Sequence, residues 1–345
     1  MEYRYRDKVY LSSYMLDTDL FNKFGFLVED AAPVRSVYIL NTNEGMKVLK
    51  KIDYSKDELM FIYDSLNIIR KQYPYVINFR ESVDKKPYVE YGDGVYIVLD
   101  IIEGRDCNFE NPIDLGEISK ALAKFHLAGE NISVYYEKRY LNGKMIERLE
   151  KRIEDMKKYR EIADIHVNRN DFDRLYLEYY SYYIQKAKET LDYFKNSCYR
   201  SFCETHHTLC HHDLAYHNIL IGNDDNVYFL DFDYSIIDIP CHDISNMIVK
   251  AVKHSCWCSN IANSVIQSYM DVRPISKDEM SLLYGYLMFP QDFYDITTAY
   301  YMRTRNWDED EFTEKLIRRA EYKDDREGFL NEFKNKWIEK DYCNL

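Results

Sequence analysis

The chain predicts an α+β fold: a small, β-rich amino-terminal lobe, residues 1–103, followed by a larger helical lobe, residues 104–345. Three observations point there. Residues 24–103 read mostly as strands around a single helical stretch. Beyond 103–107 the pattern turns helical and rich in charge. Strand character then returns only briefly, on either side of a turn at 222–226.

In the first lobe, 24–30 and 34–40 are apolar, β-branched runs. The turn Asn-Thr-Asn-Glu-Gly at 41–45 leads into 46–52 as a hairpin partner. Residues 55–73 place Leu59, Ile62, Leu66 and Ile69 on one helical stripe. Strand patterns return at 76–82, 87–91 and 95–102, with a hinge expected at 100–105. In the second lobe 114–129 and 144–200 read as helices. Residues 218–221 and 227–232 read as a strand pair about Gly-Asn-Asp-Asp-Asn, and helices continue to the end.

Composition narrows the functional classes. The 345 residues carry a formal charge of −13, which argues against a nucleic-acid surface and weakly favours a cationic or neutral ligand. No run approaches the roughly 18 apolar residues of a membrane span. The first fifteen residues have neither the apolar segment nor the cleavage pattern of a leader, so synthesis and residence on the cytoplasmic side are expected. The eight cysteines, at 107, 198, 203, 210, 241, 256, 258 and 343, follow no framework and read as free thiols. The 34 tyrosines fit base bias or, alternatively, oxidative cross-linking in an assembly.

Residues 206–220, HHTLCHHDLAYHNIL, hold five histidines, a cysteine and an aspartate. Zinc is one reading: His207 with His211, or His206 with Cys210, would pair on a helix. Phosphoryl transfer is the other. It calls for a carboxylate to orient or deprotonate the attacking hydroxyl, and for an amide oxygen and a second carboxylate to hold Mg²⁺ against phosphates. His211, Asp213 and Asn218 fill H-x-D-x-x-x-x-N. Asp231 follows Asn218 by thirteen residues, across a hairpin that brings both to one end. That combination, behind a β-rich lobe, favours the catalytic loop over the metal cluster.

The stretches CHHDLAYHNIL, VYFLDFDYSIIDIPCHDISNMI, VRSVYIL, MKVLKKI, IIEGRDCNF, ALAKFH and YGYLMFPQDFYDITTAYY resemble the aminoglycoside and choline phosphotransferase family of kinase-like enzymes. Its CotS-type spore-coat branch is the nearest match, over roughly 24–335. The resemblance implies a two-lobed protein-kinase-like fold using ATP and Mg²⁺. It makes Asp213 the catalytic aspartate and Asn218 and Asp231 the metal ligands, with Asp233 as a second acidic residue assisting the metal. His211 would brace the loop. Asp243 would either hydrogen-bond that loop or simply cap a helix. Lys50 matches the phosphate-binding strand lysine, with Lys47 and Lys51 competing; Lys50 and Lys51 point to opposite faces. Glu58 is the candidate partner of that lysine, but Ser55 and Glu58 also form a capping-box pattern. The backbone of Asp100 to Ile102 would face adenine. The loop between the first two strands, EDAAPVRS, has no glycine, so Arg35 or Ser36 would have to compensate.

The reading is an ATP- and Mg²⁺-dependent phosphotransferase acting on a hydroxyl of a small molecule, made in the cytoplasm and assembled with other proteins into the spore coat. The alternative is a non-catalytic kinase-fold coat component. Neither involves nucleic acid or a membrane.

Overall fold

The computed structural model describes residues 14–253 and 255–339; the leader-free reading of the first residues and Cys343 lie outside them. The elements run α1 (Thr18–Phe24), β1 (Val28–Val34), β2 (Val37–Thr42), β3 (Gly45–Ile52), α2 (Lys56–Ile69), β4 (Val89–Tyr91), β5 (Gly94–Asp100), β6 (Gly104–Asp106) and α3 (Pro112–Ala128). They continue with α4 (Met145–Ile165), α5 (Asp171–Lys195), α6 (Tyr199–Thr205), β7 (Thr208–Cys210), β8 (Ile219–Gly222), β9 (Val227–Phe229) and β10 (Ile236–Asp238). Last come α7 (Cys241–Val252), α8 (Ser259–Met270), α9 (Lys277–Met288), α10 (Gln291–Tyr301), α11 (Glu309–Glu321) and α12 (Lys323–Lys334).

Two compact units result. Among the described residues, the first joins those up to Cys107 with Ile132–Arg139 and Tyr216–Ser235; the second joins Asn108–Asn131, Tyr140–Ala215 and those from Ile236 onward.

An antiparallel sheet ordered β1-β2-β3-β5-β4 forms the body of the first unit. One face buries Leu40, Leu49, Tyr96 and Val98 against Leu20, Phe21 and Phe24 of α1. Asp17 caps that helix, and Gly25 ends it in the left-handed region at φ 80°. The stripe Leu59, Ile62, Leu66 and Ile69 of α2 is buried, as its spacing predicts. A second sheet, β6-β8-β9, carries the predicted hairpin. Gly104 is needed there because any Cβ would collide with the Ile221 carbonyl of the paired strand.

Several sequence expectations need correction. Residues 76–82 form no continuous strand. Val76 bridges Phe229, while Phe79 bridges Leu99, so the segment divides its backbone pairing between two strands. The first strand starts at Val28, because Phe24 is still helical. The hinge region includes the short strand β6, which the sequence pattern hides in a charged stretch.

Helices dominate the second unit, with β7 and β10 paired antiparallel among them. Asn111 caps α3 ahead of Pro112, and Asn170 caps α5. The abundant tyrosines serve the core here. Phe172 stacks on Tyr300 and Tyr183 on Phe293, each at 3.7 Å between ring centroids, with Tyr176 alongside Phe293. Among the described residues no helix is long and apolar enough to cross a membrane.

Candidate functional site

In the first unit the register of β3 sends the three lysines to different partners. Lys47 pairs with Asp100 at 2.7 Å, and Lys51 reaches Asp93 at 3.3 Å. Lys50 projects to the opposite face from Lys51 and meets two carboxylates, Asp231 at 2.9 Å and Asp233 at 2.6 Å. Burial pulls the Lys50 ammonium down, but the two aspartates outweigh it and hold its pKa above the ordinary lysine value.

The hairpin explains how Asp231 arrives there. The Leu230 N–H donates to the Asn218 carbonyl at 2.9 Å, which sets Asn218 beside the end of β9. Asp231 then takes a left-handed backbone, φ 57°, an uncommon choice that Asp tolerates better than most residues. Its side chain remains 43% exposed, whereas Asn218 is buried.

Two further residues hold Asp233 and the turn after it. The Tyr54 hydroxyl donates to the Asp233 carboxylate at 3.0 Å. Arg139 donates to the backbone carbonyls of Asp233 and Ser235. The same arginine reaches Glu58 at 3.1 Å. Glu58 also completes the capping box with Ser55. Glu58 is thus engaged by Ser55 and Arg139, while Lys50 is engaged by aspartates. Asp100 ends β5 with its carboxylate on Lys47 and Asn78 and its N–H on the Asn78 carbonyl. Ile102 follows in irregular, half-buried backbone.

In the second unit the catalytic-loop candidates lie along one face of α7. Asp243 is fully buried; its two carboxylate oxygens accept the backbone N–H groups of His211, at 2.6 Å, and His212, at 2.9 Å. Asn246 donates to the His212 carbonyl at 3.4 Å, and Lys250 reaches the Asp213 carboxylate at 2.9 Å. Positions 243, 246 and 250 are one helical stripe, so α7 contacts three successive loop residues in turn. His211 is buried, its ring nitrogen accepting from the Asp213 N–H at 3.4 Å, and His212 adopts φ 71°. Burial alone would raise the Asp243 pKa; the neighbouring His126 and His242 outweigh it and hold the carboxyl well below the usual range.

The zinc reading loses its geometry. Residues 208–210 are strand, so the four-residue spacings do not fall on a helix. Among the described residues one group has metal-ligating spacing: His126, Cys210 and Asp243, all buried and within 4.8 Å of one another. Each has other work. His126 bonds Tyr269 at 2.8 Å and Asp243 at 3.3 Å, and Cys210 donates to the Ile239 carbonyl. Burial pushes the Cys210 thiol pKa up, away from the thiolate that zinc requires.

Tyr54, Arg139, Asn246 and Lys250 were not anticipated from sequence. Of these, Asn246 and Lys250 carried a signal, since they continue the helical stripe from Asp243.

The antiparallel sheet with its lysine strand, the β8–β9 hairpin and the helix-braced H-x-D loop define a kinase-like phosphotransferase fold. The chain belongs to the family described as "Spore coat putative kinase YutH", whose model matches residues 17–333. It is similar to spore coat protein S of Bacillus subtilis (strain 168), with 19% identity over 305 residues, 86% of either chain. Among solved structures it resembles an aminoglycoside phosphotransferase from Alicyclobacillus acidocaldarius, with TM-score 0.81 and 18% identity over 94% of this chain and 97% of that one. It also resembles a spectinomycin phosphotransferase bound to AMP, with TM-score 0.65 and 14% identity over 92% and 96%.

Proposed function

We propose that the protein is an ATP- and Mg²⁺-dependent phosphotransferase acting on a hydroxyl of a small molecule, working as a component of the spore coat. The observation that carries this reading is the meeting of the strand lysine Lys50 with Asp231 at the end of the hairpin that also bears Asn218. An amide oxygen and a partly exposed carboxylate are the hard oxygen donors Mg²⁺ takes. Asn218 and Asp231 would hold the ion, with Asp233 in reserve. When bound, Mg²⁺ neutralises phosphate charge.

The chain's own residues supply the rest. Lys50 is a fixed cation for nucleotide phosphates. Asp213 orients the acceptor hydroxyl and receives its proton. His211 and Asp243 keep the Asp213 loop in shape. Glu58 acts through Arg139, which anchors the carbonyls beside Asp233. The backbone at Asp100 and Ile102 receives adenine. The family and its similarity to spore coat protein S support assembly into the coat.

A second reading, a non-catalytic coat component, is favoured by one observation. β1 and β2 are joined by a tight turn at Arg35 and Ser36, with Arg35 at φ 52°, so no glycine loop cradles phosphates here.

Thermal unfolding with ATP and Mg²⁺ separates the two. Binding at 100 times Kd stabilises by about 2.7 kcal/mol. The phosphotransferase reading expects saturable stabilisation that Asp231→Ala abolishes. It also expects that Asp213→Asn keeps binding but lowers turnover about 10²–10⁴-fold. Wild-type protein that ATP and Mg²⁺ leave unshifted at millimolar concentration would transfer the case to the scaffold.

A further inference from the structure

The two counter-ions of Lys50 are held in different ways. Asp231 makes the longer contact, 2.9 Å, and leaves 43% of its side chain in solvent. Asp233 makes the shorter one, 2.6 Å, and is 22% exposed. Its two carboxylate oxygens are divided between two donors. Oδ2 takes the Lys50 ammonium, and Oδ1 accepts from the Tyr54 hydroxyl at 3.0 Å. Arg139 stands behind both. Its guanidinium lies 5.7 Å from the centre of the Tyr54 ring, donates to the Asp233 carbonyl and is itself tied to Glu58. All these residues belong to the first unit.

The difference divides the labour between the two aspartates. When Asp231 turns to a metal, Lys50 loses one of its carboxylates. Without the other it would be an ammonium on a loose four-carbon stem, with about 2 kcal/mol of rotamer freedom to surrender again on meeting a phosphate. Asp233 is the one built to stay. Leaving Lys50 would break a charge-assisted hydrogen bond and pull its carboxylate off the Tyr54 hydroxyl. An ammonium has three donors. One remains on Asp233, and the one that Asp231 gives up becomes available to a phosphate oxygen.

We propose that Asp233 is a positioning residue for Lys50 rather than a standing ligand of the metal: with Tyr54 it keeps the lysine in place while Asp231 exchanges lysine for Mg²⁺. The assignment rests on the phosphotransferase reading, and binding alone tests it. ATP is titrated into the full chain at saturating Mg²⁺. Mg²⁺ is then titrated with ATP saturating for each variant, and thermal unfolding is followed in both series. Asp233→Asn should weaken ATP roughly tenfold to a hundredfold, the worth of a charged hydrogen bond, and leave the Mg²⁺ midpoint at the wild-type value. Asn218→Ala, which removes a metal donor, should raise that midpoint and serves as the reference. Tyr54→Phe should weaken ATP less, again with the midpoint unmoved, and it carries the test if Asp233→Asn does not fold. In a Lys50→Met background Asp233→Asn should cost no further ATP affinity, because its effect runs through the lysine.

A midpoint raised in Asp233→Asn or Tyr54→Phe as far as in Asn218→Ala overturns the proposal. So does an ATP affinity that either variant leaves unchanged. A loss that persists in the Lys50→Met background also overturns it, since Asp233 would then be structural. Wild-type protein that ATP and Mg²⁺ leave unshifted removes the phosphotransferase reading and this assignment with it. A wild-type shift combined with a raised midpoint in Asp233→Asn removes the assignment alone.

Discussion

Two aspartates that sequence reasoning placed in one machinery are held in opposite ways. Asp231, in the first unit, is partnered by a lysine side chain and keeps much of its carboxylate in solvent. Asp243, in the second, is fully buried, and its oxygens are taken up by two backbone N–H groups and a histidine. Side-chain ion pairs near solvent exchange partners at little cost. Buried carboxylates on backbone donors do not, because each donor left behind is an unsatisfied polar group. The first arrangement suits a carboxylate that must trade its lysine for an incoming ligand; the second suits one that defines a loop permanently.

That contrast breaks most sharply under truncation. Asp243→Ala should destabilise the fold by about 3–5 kcal/mol, the usual cost of removing one partner from a buried charged network. Asp231→Ala should stay within about 1 kcal/mol, as Lys50 retains Asp233. Chemical denaturation of both variants measures this, and equal losses would erase the distinction.

A smaller effect concerns acid. His126 and His212 are buried, and burial pulls both below the ordinary histidine value. Below about pH 6.5 the unfolded chain therefore binds protons that the fold refuses, so stability falls as pH drops. Asp243 adds to this later. Its depressed pKa gives stability that is complete above about pH 4 and is lost as pH falls towards the folded value. Denaturation at pH 8, 6 and 5 should show the decline begin near the histidine range. A flat profile would mean that the second unit is not held by neutral histidines.

The smallest effect is expected at Lys47. Its pair with Asp100 is partly exposed, so Lys47→Met should cost no more than about 1 kcal/mol. Chemical denaturation of that variant measures it. A larger loss would show that the β3–β5 pairing near Asp100 is held as firmly as Asp243.

Which parts of this were readable from sequence follows from distance along the chain. The placement of Asn218 and Asp231 at one end of a hairpin was legible because both sit in one short stretch of chain. The α2 stripe was legible because helical period is local. The choice of Lys50 was not, since it depends on the register of β3 against β5, where Lys50 faces Ile97 and Lys51 faces Tyr96. Arg139 and Tyr54 were invisible for the same reason: Arg139 lies 94 residues from Asp233, and Tyr54 lies 179. Residues 76–82 look like a strand because they do pair, but with two different strands at two single points.

The α7 stripe has a consequence for how such a protein varies and can be re-engineered. The shape of the 211–213 loop is written about thirty residues downstream, in the spacing of Asp243, Asn246 and Lys250. Substitutions can drift on either side, but a one-residue insertion in α7 would rotate the later contacts by about 100° and take them off the loop. Loop and helix therefore form a single heritable cassette. A chimera that imports a new 211–213 loop without its own helix should express as a folded scaffold whose Asp213 has lost its address.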